Sequence, residues 1–169
     1  MLVFGNGELQ VQGYTDSDFM SDVDDRKSTS GSLFVCNGGV VNWKSSKQMV
    51  IADSTMEAEY IAALEATKEA FWYKKFAVEI RVMPSDAIPL YCDNNGAKAL
   101  AKELRSHQKS KHIERRYHLI RDYLEKDYIE VKRVDSADNA ANLLTKSLDQ
   151  QKIEAHLEKM GLRFVANWL

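Results

Sequence analysis

The sequence predicts a mixed α/β sheet with helices packed on its faces. Two observations carry that reading. The first third of the chain spaces its apolar residues with the two-residue period of strands, and at Ser54 the period changes to the roughly 3.6 residues of a helix. Beyond that point short apolar runs alternate with helical stretches, giving the order three strands, helix, strand, helices, strand, helix.

The elements follow in turn. "ELQVQGYTDSDFM" alternates and reads as the first strand, with "DVDDRKSTSG" as a polar connection. "SLFVCNGGVVNWKS" reads as a hairpin whose turn at Asn37, Gly38 and Gly39 needs positive-φ residues. Ser54 and Glu57 have capping-box spacing and open one long helix over residues 54–80, with Tyr60, Leu64, Thr67 and Phe71 on one face. "IPLYCD" is a short apolar strand ending at Asp93, and "NNGAKALAKE" suits a short helix. Ile113, Tyr117, Ile120 and Leu124 mark the apolar face of another helix, and "YIEVKRVD" is the last strand. "SADNAANLLTKSL" reads as a helix capped by Asp138, and "QQKIEAHLEKMGL" as one more.

With 169 residues, 44% hydrophobic and 28% charged, the chain suits one globular domain over residues 1–148 and a C-terminal helical extension over 149–169. Whether that extension packs on the domain or mediates contacts is open. The formal net charge of -2 excludes a polycation, so any nucleic-acid contact must come from a local basic patch. Cys36 and Cys92 sit in apolar contexts and read as buried strand residues in a reducing compartment. No apolar run reaches the length of a membrane span, so an intracellular protein is expected. Trp43, Trp72 and Trp168 read as packing residues.

The candidate chemistry lies in acids at element ends: Asp16 in the first strand, Glu59 near the start of the long helix, Asp93 after the fourth strand. Asp16 either sits at an exposed strand end or meets a positive charge, because an unpaired buried carboxylate is costly. Three carboxylates without a neighbouring Cys or His suit a hard, oxygen-preferring cation such as Mg²⁺, and acids at strand ends are also often merely solvated. Spacing does not choose between the two.

"GYTDSDF", "DDRKSTSG", "NWKSSKQ", "STMEAEYIA", "LYCDN", "KSKHIERRYHLIRDYL" and "LLTKSL" together resemble the ribonuclease H domain that ends copia-type retrotransposon polyproteins, particularly those of plants. The resemblance covers about residues 3–148. It implies a ribonuclease H-like fold, a mixed five-stranded sheet flanked by helices, whose second strand runs antiparallel to its neighbours. It also implies two Mg²⁺ ions, with Mn²⁺ able to substitute, and endonucleolytic hydrolysis of the RNA strand of RNA/DNA hybrids. Its metal ligands and catalytic acids fall on Asp16, Glu59 and Asp93, with Glu57 left as the capping partner and Asp18 as a bystander.

The family's fourth acid, in a pattern like D-N-x-A-D-x-x-T-K, falls on Asn142. An amide offers one neutral oxygen and loses the charge that draws in a metal, so this chain is expected to be much less active than its relatives, or inactive. Three origins fit the asparagine: an engineered isosteric change, decay, or a captured domain kept for binding.

For substrate, the resemblance implies minor-groove contacts from Ser54, Thr55, Asn94 and Asn95. The basic stretch "RSHQKSKHIERR" offers Lys109, Lys111, His112 and Arg115 as a phosphate patch or as a solvated face. No histidine follows the last strand and no basic handle helix is seen, so the reverse transcriptase domain of the same polyprotein is the implied partner for holding substrate. The expected setting is the cytoplasm, inside a virus-like particle for an intact element, or the nucleus. The alternatives are a catalytically dead hybrid- or RNA-binding module and a domesticated protein-interaction domain.

Overall fold

The computed structural model describes residues 9–22, 24–80, 86–93, 96 and 122–162. Five strands form one sheet in the order β3-β2-β1-β4-β5. They are β1 (Val11–Asp18), β2 (Thr29–Cys36), β3 (Gly39–Lys47), β4 (Ile88–Cys92) and β5 (Ile129–Arg133). β2 runs antiparallel to both β1 and β3, whereas β4 is parallel to β1 and β5 parallel to β4. This is the mixed five-stranded sheet that the resemblance implies. The β2–β3 hairpin turns through Asn37 (φ 47°) and Gly38 (φ 80°). Two left-handed residues give the twist that a two-residue hairpin requires.

The long helix, α1 (Thr55–Glu79), starts one residue later than the spacing suggests, because Ser54 serves as its cap. Alanines at 58, 62, 63, 66 and 70 are fully or almost fully buried, so small side chains let the helix lie close to the sheet. Phe34, Cys36, Val11, Ile88 and Ile129 form the core on that side, joined by Ala70, Tyr73 and Leu124. Cys36 and Cys92 are buried and unbridged, as the sequence suggests. Trp43 and Trp72, by contrast, are 62% and 55% exposed. Trp72 instead stacks on the exposed Phe76 one helical turn away, 5.2 Å between ring centroids. Among the described residues no helix is long and apolar enough to cross a membrane.

The other face of β2, Leu33 and Val35, packs on Ala140 and Met160 with Leu143, Leu144 and Leu157. Here the expectation needs correcting. Residues 136–148 do not form one α-helix; two short 3-10 segments, Ser136–Asp138 and Ala140–Leu144, take its place. The cap of the second is Asn139, whose side chain accepts from the Ala141 amide, and not Asp138, which pairs with Lys159 at 2.5 Å. Asn139 also donates to the Thr15 carbonyl at 2.9 Å, so its amide fastens the segment to β1 and sets where the cap must be. Helix α2 (Gln150–Lys159) packs onto the domain, and the Met160 carbonyl accepts from Val40 N at 2.9 Å.

Gly31 allows this layer to sit down. A Cβ there would meet Thr145 Cγ2 at 2.7 Å, Leu144 Cβ at 3.0 Å and the Ala141 carbonyl oxygen at 3.1 Å. Gly31→Ala is therefore expected to destabilise the fold by about 1–3 kcal/mol, the usual cost of overpacking, seen as a lower urea midpoint. An unchanged midpoint would show that the layer is looser than this packing requires.

Candidate metal centre

Three elements bring three acids to one place. Asp16 lies on β1, paired across the ladder with Gly31, and its backbone neighbour Thr15 is fixed by Asn139. Glu59 lies in the second turn of α1, and the helix start that places it is locked by the capping box. Glu57 N donates to Ser54 Oγ at 3.2 Å, and the Glu57 carboxylate accepts from the Asp53 amide at 2.9 Å, one residue before the cap. Asp93 follows β4, and the Gly96 amide donates to its Oδ1 at 2.8 Å.

Asp16, Glu59 and Asp93 each present an oxygen within 4.8 Å of the others. Asp16 is 0% exposed and Glu59 3%. Burial pushes both carboxyls up from their ordinary range, and in each case the neighbouring acids add to the effect. For Glu59 the value reaches about 8. For Asp16, Thr145 and Lys146 pull the other way. Glu59 Oε2 is buried without a hydrogen-bond partner among the described residues. An all-carboxylate oxygen set, one member of which carries a buried unpartnered oxygen, fits a hard divalent cation and does not suit a soft one. All three acids can hold the ion.

Asn142 is buried on the Ala140–Leu144 segment, where its amide donates to the Ser136 carbonyl. Its Oδ1 accepts from Lys146 Nζ at 3.2 Å, and the same ammonium sits 3.1 Å from Asp16 Oδ1. Thr145 Oγ1 donates to the other Asp16 oxygen. Thr145, Lys146, Asn139 and Gly31 thus shape the centre, and none was singled out from the sequence. The available signal was the Thr-Lys pair of "LLTKSL", three and four positions beyond Asn142. Ser54 and Thr55 are exposed at the start of α1, with Ser54 already used as the cap. Asn94, Asn95, Lys109, Lys111, His112 and Arg115 lie outside the described residues.

The raised Glu59 carboxyl carries a sign. The folded chain favours its neutral form, so its contribution to stability is full below the ordinary value of 4.5 and is lost as pH rises toward about 8. Buried His156, held below its ordinary 6.5, acts oppositely, costing stability as pH falls through that range. Comparison with Glu59→Gln isolates the glutamate. In chelator, raising the pH from about 5 to about 8 should lower Tm more in the parent than in the variant, with a slope difference of up to about 1.4 kcal/mol per pH unit. Parallel Tm curves would contradict the assigned burial of Glu59.

No protein-family model matches the chain. It is 39% identical over 161 residues, 95% of its length, to the retrovirus-related Pol polyprotein from transposon TNT 1-94 of Nicotiana tabacum. It is 31% identical over 154 residues, 91% of its length, to that from transposon RE2 of Arabidopsis thaliana. The chain spans only 12% and 11% of those polyproteins, about an eighth or less. Among solved structures, LC11-RNase H1 isolated from compost aligns with a TM-score of 0.54 at 15% identity, over 88% of this chain and 98% of that one. The same enzyme in complex with an RNA/DNA hybrid aligns with a TM-score of 0.53 at 13% identity, over 80% and 94%. By sequence the chain is similar to a short stretch of the retrovirus-related Pol polyproteins of plant transposons, and its fold is ribonuclease H-like.

Proposed function

We propose that the chain is a copia-type ribonuclease H that hydrolyses the RNA strand of RNA/DNA hybrids with Mg²⁺, at a rate held down by Asn142. The observation that carries this is the cluster of Asp16, Glu59 and Asp93 in a ribonuclease H-like fold, with Glu59 carrying a buried oxygen that has no hydrogen-bond partner among the described residues. The hybrid-bound state of the LC11 enzyme supports the choice of substrate. A divalent ion bound by these acids supplies the Lewis acidity that activates water and steadies charge on a phosphate.

The chain's own residues do the rest. β1 and α1 hold Asp16 and Glu59 on regular elements, and Asp93 directly follows β4. The Gly96 amide orients Asp93, and Thr145 orients Asp16. In the overall reaction water oxygen bonds to phosphorus and the bond to the 3′-oxygen breaks. That oxygen takes up a proton, leaving a 5′-phosphate and a 3′-hydroxyl. In this reading Ser54 and Thr55, both exposed at the start of α1, meet the RNA 2′-hydroxyls. Asn94 and Asn95 join them in this reading, while Lys109, Lys111, His112 and Arg115 grip phosphates. The reverse transcriptase domain of the same polyprotein is the partner in an intact element, and the setting is cytoplasmic or nuclear.

A second reading, a hybrid-binding module without cleavage, is favoured by one feature: the Asn142 amide is already committed to Ser136 and Lys146 and brings no charge. Cleavage of a labelled hybrid by the parent and by Asn142→Asp separates the two. The variant should cut faster by about two to three orders of magnitude, equivalent to roughly 3–4 kcal/mol of barrier, and Asp16→Asn should abolish cutting in both. Tight hybrid binding with no cleavage by either chain would establish the binding module instead.

A further inference from the structure

Thr145 and Lys146 follow Asn142 by three and four residues, so the end of the Ala140–Leu144 segment returns them toward it. The absence of a side chain at Gly31 lets that segment lie directly on the sheet beside Asp16. The Lys146 ammonium lands 3.1 Å from Asp16 Oδ1, 3.0 Å from Asp16 Oδ2 and 3.2 Å from Asn142 Oδ1. Three oxygens surround one positive charge, and an ammonium has three protons to give them. Glu59 Oε2 has no such partner among the described residues.

We infer that Lys146 is a resident cation of the centre, occupying on Asp16 and Asn142 the position a second divalent ion would take, so that the chain binds one divalent ion and not two. The inference rests on the reading of the three acids as a metal centre. Its logic is charge balance. Three carboxylates and one ammonium carry a net charge that one divalent ion neutralises, whereas removing the ammonium or adding a carboxylate leaves a negative charge that draws in a second ion. Asp16 is fully buried, and a buried carboxylate requires a partner whether or not metal is present. Lysine suits that role as a compact point charge on a long stem, and its side chain is 35% exposed, so the stem reaches in from the open side. Asparagine at 142 suits it too. A neutral amide oxygen leaves the ammonium on Asp16, whereas an aspartate there would compete for it and free Asp16 for an ion.

Manganese titration of the 169-residue chain, with free Mn²⁺ followed by electron paramagnetic resonance, tests this by counting ions. The parent and Lys146→Arg should each take up one ion. Lys146→Met and Asn142→Asp should each take up a second, at a Mn²⁺ concentration where the parent stays at one. In a chain carrying ¹⁵N-lysine, the Lys146 ammonium signal, identified by its loss in Lys146→Met, should persist when Mg²⁺ is added. If Lys146→Met does not fold, the parent's ion count and the parent and Lys146→Arg lysine spectra decide. Two ions bound by the parent, or loss of the ammonium signal on adding Mg²⁺, would overturn the role of Lys146 while leaving the metal centre standing. No Mn²⁺ bound by the parent or any variant would remove the metal centre itself, and the inference with it.

Discussion

The structure depends on the burial of Asp16 in the middle of its sheet. β1 is the only strand among those described that pairs both with the antiparallel hairpin and with the parallel pair β4–β5. A fully buried carboxylate on that strand would destabilise the domain unless something positive met it. The fold answers with a layer built for the purpose: Asn139 pins it to Thr15, Gly31 gives it room, and Thr145 and Lys146 reach Asp16. Much of the packing on that side of the sheet, including Met160 and Leu157 of the C-terminal segment, holds this layer down.

That arrangement leaves the centre asymmetric. On the Asp16 side charge is compensated by the protein itself. On the Glu59 side one oxygen is buried with no hydrogen-bond partner among the described residues, and burial, with the nearby Asp16 and Asp93, pushes the carboxyl up to about 8. A protein-only centre would be expected to satisfy that oxygen, since most buried polar side-chain atoms are paired. The unmet demand lies where a hard cation would meet it.

Most of the sheet and α1 were legible because their signals are local. Alternation in "VQGYTDSD", the Asn37-Gly38 turn and the Ser54–Glu57 box each fix an element from a few residues. The three acids were legible through their positions at element ends and through family resemblance. The segment after β5 was not. Its apolar residues allowed an α-helix, but Asn139 is drawn to Thr15, 124 positions away, and shortens the helix into 3-10 turns. Lys146 carried only the weak signal of the Thr-Lys pair in "LLTKSL". A lysine after an apolar pair reads as surface, and only the register of β1 against β2, with a glycine opposite Asp16, shows that it turns inward.

If the acidic centre holds a divalent cation, anomalous diffraction from crystals of the chain soaked in Mn²⁺ will locate it. A manganese peak is expected among Asp16, Glu59 and Asp93. Ordered carboxylates with no peak, and a protein group seated on Glu59 Oε2, would contradict it.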